Sequence, residues 1–121
     1  MQALACLNGC RLWADIQSTC PNIRPHDQQG RMHPVQLDRR SRLHTLVGAS
    51  EMHVNTFHRE AIRQLSPSVR ASAYSDDGIV EAIEVTDHRF AVGLQWHQER
   101  FAGIDHPGQA IFNGFVNACQ P

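Results

Sequence analysis

The spacing of apolar residues changes along this chain, and each change predicts a different kind of element. Residues 69–75 and 79–86 have β-strand character and are joined by Asp76-Asp77-Gly78, a turn sequence typical of a β-hairpin. Residues 90–96 form a continuous apolar run, as in a strand buried on both faces of a sheet. Residues 108–119 predict a C-terminal helix, because apolar residues recur there at helical spacing, and we expect that face to pack in the core. The face consists of Ile111, Phe112, Phe115 and Val116.

The rest of the chain predicts shorter elements. A helix over residues 1–8 ends at Gly9, and Ser41 caps a helical turn that ends at Gly48. Residues 18–32 hold two prolines, a glycine and several side-chain amides, which predicts an irregular loop with little core of its own. Short strands are predicted over residues 11–16, 33–38 and 52–57, and a short helical turn over residues 60–65, before Ser66-Pro67.

Strands, a hairpin and a C-terminal helix together predict an α/β or α+β architecture. With 121 residues, the chain is expected to form one domain, residues 1–121. Its 11 basic and 12 acidic residues nearly balance, so the charge predicts binding neither to nucleic acid nor to an acidic membrane. The sequence has no run of 18 apolar residues and no signal-peptide pattern, and we therefore expect a cytoplasmic protein.

The cysteine content raises the alternative of a zinc site. Structural zinc sites usually present two close pairs of ligands, whereas this chain has no Cys-x-x-Cys and its histidines are scattered. We therefore predict free thiols, no metal and no cofactor, and zinc found by elemental analysis would contradict this prediction. The cysteines are Cys6, Cys10, Cys20 and Cys119, with His26 and His33 downstream of the first three.

The end of the apolar run at residues 90–96 carries the clearest chemistry. His97 follows the run directly, and Glu99 comes two residues later. A strand that delivers a histidine and a carboxylate to its C-terminal tip provides the base and the orienting group of a Cys-His-Glu hydrolase. The alternative is a histidine at a strand end that is satisfied by local backbone groups.

Three motifs in a fixed order resemble the gamma-glutamyl-gamma-aminobutyrate hydrolase branch of the class I glutamine amidotransferase-like proteins. They are Val54-Asn-Thr-Phe-His58, Asp77-Gly-Ile-Val-Glu-Ala-Ile-Glu84 and residues 91–99. In that branch they read V-N-S-x-H-H-Q-A, D-G-x-V-E-A-I-E and G-V-Q-W-H-P-E. The resemblance implies the C-terminal half of a flavodoxin-like sandwich, with the active site at the carboxyl ends of the strands.

The resemblance also implies roles for individual residues. His97 would be the general base and Glu99 the residue that orients it. Gln2, Asn55, Thr56 and His58 match positions beside the family's substrate pocket, although hydrogen bonding at a strand end explains them equally well. The family has proline between its histidine and glutamate, where this chain has Gln98, so we expect a looser turn there.

The family's nucleophilic cysteine has no counterpart in this chain when its first 16 residues are matched to the family pattern. Matching Gln2, Gly9, Leu12 and Asp15-Ile16 to the family pattern puts that cysteine three positions before Met1. Cys6 is too close to Asp15 to take its place. The resemblance thus predicts an N-terminally truncated domain that hydrolyses gamma-glutamyl amides by family but is inactive alone, and that needs a complementing N-terminal chain or self-associates. The alternative is a degenerate, non-catalytic binding or interaction subunit.

Overall fold

Seven β-strands and four α-helices make up the structure, a computed structural model that describes residues 1–121. A single turn of 3-10 helix, Gln98–Phe101, follows the last strand. In chain order the elements are α1 (Gln2–Leu7), β1 (Arg11–Trp13), α2 (Ile16–Thr19), β2 (Met32–Leu37), α3 (Arg42–Val47), β3 (Glu51–Asn55), β4 (Ala61–Gln64), β5 (Val69–Ser75), β6 (Val80–Val85), β7 (Val92–Leu94) and α4 (Gln109–Ala118).

Five strands form one antiparallel sheet in the order β3-β2-β5-β6-β7, and β1 pairs with β4 in a separate ribbon. The predicted hairpin is confirmed as β5 and β6, and its turn needs glycine because Gly78 has a φ of 87°. The edge strands β3 and β7 run in the same direction. Asn55 at the end of β3 hydrogen-bonds to His97 beyond β7, so the sheet curls to bring these two ends together.

Two irregularities in the pairing of β5 with β6 shape the middle of this sheet. Ala73 lies opposite Ala82, but the next residue, Tyr74, lies opposite Val80, so Glu81 has no partner on β5. An extra residue of this kind is a β-bulge, which bends a strand and redirects a side chain. Glu81, the extra residue, is fully buried.

Apolar residues cover both faces of the sheet. One face packs against α3 and α4 through a core that includes Val35, Leu43, Trp96 and Ile111. The other face packs against α1 and the β1–β4 ribbon through a second core that includes Ala5, Ile62 and Ile83. The sheet between two layers agrees with the α/β sandwich predicted from the sequence.

Several predicted elements take the expected form. Ser41 is the N-cap of α3 and its hydroxyl accepts a hydrogen bond from the backbone N–H of His44 at 2.9 Å, and α3 ends at Gly48. Helix α1, strand β2, strand β3 and helix α4 also lie within two or three residues of their predicted bounds. No helix of the structure has the length and apolar character that crossing a membrane requires.

Four predictions of local structure are wrong. Residues 60–65 form strand β4 instead of a helical turn, and the strand over residues 11–16 stops at Trp13, after which Asp15 caps α2. The strand over residues 90–96 is only three residues long and lies at an edge of the sheet instead of being buried on both faces. On α4 only Ile111 is buried, whereas the rest of the predicted core face is exposed: Phe112 by 43%, Phe115 by 53% and Val116 by 56%.

Candidate active site

A cleft of about 340 Å³ opens where the carboxyl ends of β3 and β7 meet the start of α1. Its volume is within the range of pockets that hold small molecules. It lies at the carboxyl ends of strands, as the general rule for ligand sites in open α/β sheets requires. The cleft is lined by Met1, Gln2, Phe57, His58, Glu60, Leu94, Gln95, Trp96 and His97.

The backbone of His97 is fixed from the neighbouring strand end by one side chain. The N–H of His97 donates to Oδ1 of Asn55 at 2.8 Å, and Nδ2 of Asn55 donates to the carbonyl oxygen of His97 at 2.9 Å. The ring of Phe57 packs edge-on against the imidazole, with 5.3 Å between ring centroids. Asn55 therefore acts as a clamp that holds the histidine at the mouth of the cleft.

The imidazole of His97 contacts the carboxylate of Glu99. Nδ1 of His97 lies 2.6 Å from Oε1 of Glu99, and the two side chains are 47% and 65% exposed. The hydrogen bond from His97 is the main reason that the pKa of Glu99 lies below its ordinary value, so the carboxyl stays ionised to a lower pH than an ordinary glutamate does. Because Nδ1 is engaged, Nε2 is the nitrogen left for proton transfer.

Gln98, which stands where the resembled family has proline, is buried and firmly held. Its Oε1 accepts a hydrogen bond from Nε1 of Trp96 at 2.9 Å, and its Nε2 lies 3.3 Å from Nδ1 of His106. A methyl group at Gly108 would come within 2.2 Å of Oε1 of Gln98, so this packing depends on glycine. Side-chain hydrogen bonds thus hold the turn that proline would have stiffened, and the looser turn stays a prediction.

The structure separates the four residues predicted to contact substrate. Gln2 and His58 line the cleft. Asn55 is the clamp on His97, and Thr56 is buried with its hydroxyl donating to the carbonyl oxygen of His26, so neither of them lines the cleft. Of the predicted site residues, Gln2, His58 and His97 line the cleft, and Glu99 contacts His97 from outside the lining.

None of the four cysteines lines the cleft. Cys10 is buried on the opposite side of the sheet from α4, where its sulfur lies 3.4 Å from the backbone nitrogen of Ser66. Cys6 is exposed on α1, Cys20 is half-buried and Cys119 is exposed. All four thiols are free.

The model of the peptidase C26 family matches residues 1–99 of this chain. The chain belongs to the peptidase C26 family. Gamma-glutamyl-gamma-aminobutyrate hydrolase PuuD of Escherichia coli (strain K12) is 36% identical over 101 residues, which cover 83% of this chain and 40% of that protein. Protein NtpR of Enterococcus hirae is 32% identical over 122 residues, which cover 96% of this chain and 51% of that protein. This chain therefore spans about half or less of the length of these relatives.

Solved structures confirm the predicted fold class. A protein of Thermoplasma acidophilum, described as a candidate component of GMP synthase, superposes with a TM-score of 0.72 at 20% identity, over 98% of this chain and 52% of that chain. A glutamine amidotransferase of Thermotoga maritima superposes with a TM-score of 0.58 at 14% identity, over 96% and 43%. The resemblance inferred from the three motifs is confirmed, and peptidase C26 is the family it points to.

One buried cleft residue of this peptidase C26 chain was missed by the sequence reasoning. Gln95 is 8% exposed, and its Nε2 donates to the backbone carbonyl of Glu60 at 3.3 Å. Its Oε1 has no hydrogen-bond partner although it is buried. A polar residue inside the apolar run at residues 90–96 was the available signal, because a buried amide needs partners that an apolar strand does not supply.

A second group of polar residues lies behind the cleft and was also missed. His26, His33 and Glu81 are buried together, and Asp77 lies 3.0 Å from Nε2 of His26. Burial opposes the charge on His26, but its contacts with Glu81 and Asp77 outweigh burial and raise its pKa. Burial likewise opposes the charge of Asp77, but hydrogen bonds from Ser75 and His26 prevail and lower its pKa to about 2. His26 is the only buried residue of the segment 18–32, which agrees with the predicted loop with little core of its own.

Proposed function

We propose that this chain carries the general base and the orienting carboxylate of a cysteine hydrolase that cleaves gamma-glutamyl amides at the C–N bond. The observation that supports the proposal best is the 2.6 Å contact of His97 with Glu99 at the mouth of the cleft. Its relative in Escherichia coli, a gamma-glutamyl-gamma-aminobutyrate hydrolase, suggests the class of substrate. The partner of the site is then a small gamma-glutamyl molecule.

In this mechanism Glu99 accepts a hydrogen bond from Nδ1–H of His97 and so holds the tautomer in which Nε2 is unprotonated. Nε2 takes the proton of a cysteine thiol, and the thiolate attacks the gamma-carbonyl carbon of the substrate. The C–N bond breaks, and the same proton passes from Nε2 to the leaving amine. A water molecule then hydrolyses the thioester, which releases glutamate and restores the thiol.

The polar groups of the cleft suit the glutamyl part of such a substrate. Gln2 and His58 lie on its wall, and the buried Oε1 of Gln95 is an acceptor without a partner. A substrate ammonium group would supply the missing donor, since a buried acceptor without a hydrogen bond is unfavourable. Asn55 does not contact the substrate in this proposal; it positions His97 through hydrogen bonds to the backbone. Thr56 likewise has a structural role, because its hydroxyl donates to the carbonyl oxygen of His26.

We infer that the nucleophile of this mechanism comes from outside the 121 residues, and the lack of a cysteine in the lining of the cleft supports this inference. It would belong to a longer chain or to a complementing N-terminal chain. We therefore expect the 121 residues alone to release no glutamate from gamma-glutamyl-gamma-aminobutyrate above the uncatalysed rate. Loss of the nucleophile in a comparable triad lowers turnover roughly a millionfold.

A cytoplasmic location remains a prediction from the sequence.

The test combines this chain with the part of the Escherichia coli hydrolase that it does not match. We expect the combination to release glutamate, and His97→Ala to lower turnover by roughly 10⁴-fold or more. His88→Ala is the matched control, because His88 is an exposed histidine that does not line the cleft. Activity of the 121 residues alone that disappears in His97→Ala would contradict the assignment of the nucleophile. Equal activity of the combination with and without His97 would contradict the assignment of the base.

The second candidate function is a non-catalytic binding or interaction subunit. The observation that favours it is the exposed apolar face of α4, formed by Phe112, Phe115 and Val116. The two candidates differ in a binding experiment. Perturbation of the amide resonances of Gln95 and His58 by gamma-glutamyl-gamma-aminobutyrate favours the hydrolase, whereas an unresponsive cleft in a chain that associates through α4 favours the non-catalytic role.

A further inference from the structure

Four buried side chains converge at one point inside the molecule, behind the wall of the cleft. Glu81 comes from the bulge of β6, His33 from β2, His26 from the loop before β2, and His58 from the segment after β3. Their exposed fractions are 0%, 3%, 0% and 6% in that order. Three buried histidines facing one buried carboxylate are an uncommon arrangement, since buried polar groups are normally paired.

The outer nitrogen of each imidazole is held by an oxygen that can only accept. Nε2 of His26 lies 3.0 Å from the carboxylate of Asp77. Nδ1 of His33 lies 3.2 Å from the carbonyl oxygen of Pro34, and Nδ1 of His58 lies 2.9 Å from the carbonyl oxygen of Glu60. The proton of each neutral imidazole is therefore on its outer nitrogen, which leaves a lone pair on the inner nitrogen.

These inner nitrogens point their lone pairs at a carboxylate that also has only lone pairs. Oε1 of Glu81 lies 3.3 Å from Nδ1 of His26, 3.8 Å from Nε2 of His33 and 3.4 Å from Nε2 of His58. Neither oxygen of Glu81 forms a hydrogen bond of good geometry, and neither do the inner nitrogens of His33 and His58. With all three imidazoles neutral, these four acceptors face each other without a donor and repel one another. Either an added proton on an imidazole or a metal ion between them removes this repulsion.

The spacing of these atoms fits a metal ion better than it fits hydrogen bonds. In a tetrahedral zinc site with bonds of about 2.0–2.1 Å, neighbouring ligand atoms are separated by about 3.3 Å. The ligand atoms of His26, His33 and Glu81 all lie within 4.8 Å of one another, and the inner nitrogen of His58 faces the same carboxylate oxygen. Imidazole nitrogens combined with a carboxylate suit zinc and similar transition metals.

The outer contacts also match those of metal-binding histidines. A histidine that binds a metal usually donates its other N–H to a carboxylate or to a backbone carbonyl, which fixes its tautomer and orientation. Here Asp77 supplies the carboxylate, and Pro34 and Glu60 supply the carbonyls. We propose that His26, His33 and Glu81 bind one divalent transition-metal ion, of which Zn²⁺ is the probe, with His58 as the fourth ligand. This site shares His58 with the wall of the cleft, but its other three residues do not line the cleft, and the proposal does not depend on the proposed function.

Such an ion would tie together the loop before β2, strand β2 and the bulge of β6. Residues 20–31 contain neither a helix nor a strand, and their other anchors are the contacts of Arg24 with Asp76 and Asp77 and the hydrogen bonds to the carbonyl of His26. Because the ligands are buried, the role inferred is structural. Loss of the ion should loosen the loop while leaving the contact between His97 and Glu99 in place.

The experiment titrates Zn²⁺ into the full chain after treatment with a chelator, by calorimetry and by native mass spectrometry. We expect one ion per chain. Loss of an outer hydrogen-bond partner of a metal ligand typically weakens metal binding 10- to 100-fold, and we expect an effect of this size for Asp77→Asn. His33→Gln and Glu81→Gln each remove a ligand and should weaken binding by more than that. His88→Ala and His44→Ala should leave the affinity unchanged, because these histidines lie outside the cluster.

Two measurements keep the test decisive if a variant fails to fold. X-ray absorption of the zinc-loaded wild-type chain should report only nitrogen and oxygen ligands, with at least two imidazoles. Co²⁺ in place of Zn²⁺ should show no thiolate charge-transfer band, which separates this site from one built on Cys6, Cys10 or Cys20. The proposal is overturned if the wild type binds no stoichiometric ion, if sulfur ligates it, or if well-folded His33→Gln and Glu81→Gln bind it as tightly as the wild type does.

Discussion

At the scale of single residues, the contact between His97 and Glu99 has a consequence that can be measured without substrate. The hydrogen bond from His97 lowers the pKa of Glu99. We expect His97→Ala to raise the pKa of Glu99 towards that of an ordinary glutamate, because the substitution removes the donor. A ¹³C NMR titration of the Glu99 carboxyl carbon in both proteins measures the change. An unchanged pKa would mean that the contact of 2.6 Å does not persist in solution.

The same pKa sets the sign of a pH effect on stability. A carboxyl whose pKa is lower in the folded chain stabilises the fold above its ordinary pKa, and that contribution is lost as the pH falls through the lowered value. The stability difference between the wild type and Glu99→Gln should therefore shrink as the solution is acidified below the ordinary glutamate range. Chemical denaturation of both proteins across that pH range measures it. The effect is expected to be small, because the side chain of Glu99 is 65% exposed.

The sequence predicts some of these residue-scale contacts and not others. His97 and Glu99 are two residues apart after a strand, so their contact follows from local spacing. The contact of His26 with Asp77 joins residues 51 positions apart, and nothing in the loop sequence signals it. The bulge that aims Glu81 inward depends on the pairing of β5 with β6, which the sequence does not reveal.

At the scale of elements, pairing with a distant strand outweighs the local helix propensity of residues 60–65. Residues 60–65 read Glu-Ala-Ile-Arg-Gln-Leu, which are good helix formers, and yet residues 61–64 form β4. Pairing with β1 buries Ala61 and Ile62 and satisfies the backbone, which outweighs a helix propensity of a few tenths of a kcal/mol per residue. Helix α3 was predictable because its signals, Ser41 and Gly48, are local.

The junction between the 3-10 helix and α4 provides a test at this scale. Gly108→Ala would place a methyl group within 2.2 Å of Oε1 of Gln98, which is buried and bonded to Trp96. We expect the substitution to lower the free energy of unfolding by about 1–3 kcal/mol, as overpacking does. Chemical denaturation followed by tryptophan fluorescence measures it.

The double variant Gly108→Ala with Gln98→Ala identifies the cause of that loss. Truncating Gln98 makes room for the added methyl group, so Gly108→Ala should cost much less in this background than in the wild type. If the cost is the same in both backgrounds, the clash with Gln98 is not its source. In that case Gly108 would matter for the backbone at the start of α4 instead.

At the scale of the whole molecule, the sheet is covered on both faces but α4 leaves an apolar face in solvent. Phe112, Phe115 and Val116 are all at least 43% exposed, and Phe115 packs against Phe90 with ring centroids 5.7 Å apart. The helical spacing correctly predicted α4, but periodicity cannot say how much of an apolar face finds a partner. The predicted core face is thus partly an outer surface.

This surface predicts that the isolated chain self-associates. Contiguous exposed aromatic groups are removed from water when two copies pair, at about 25 cal/mol per Å² of apolar area. We expect the sedimentation coefficient of the wild type to rise with concentration. Phe112→Ser combined with Val116→Ser should weaken the association at least about tenfold, which corresponds to about 1.4 kcal/mol. Ile104→Ser is the matched control, because Ile104 is 59% exposed but lies outside α4. A wild type that remains monomeric at all concentrations, or an Ile104→Ser variant that dissociates as readily as the α4 variant, would contradict the role of this face.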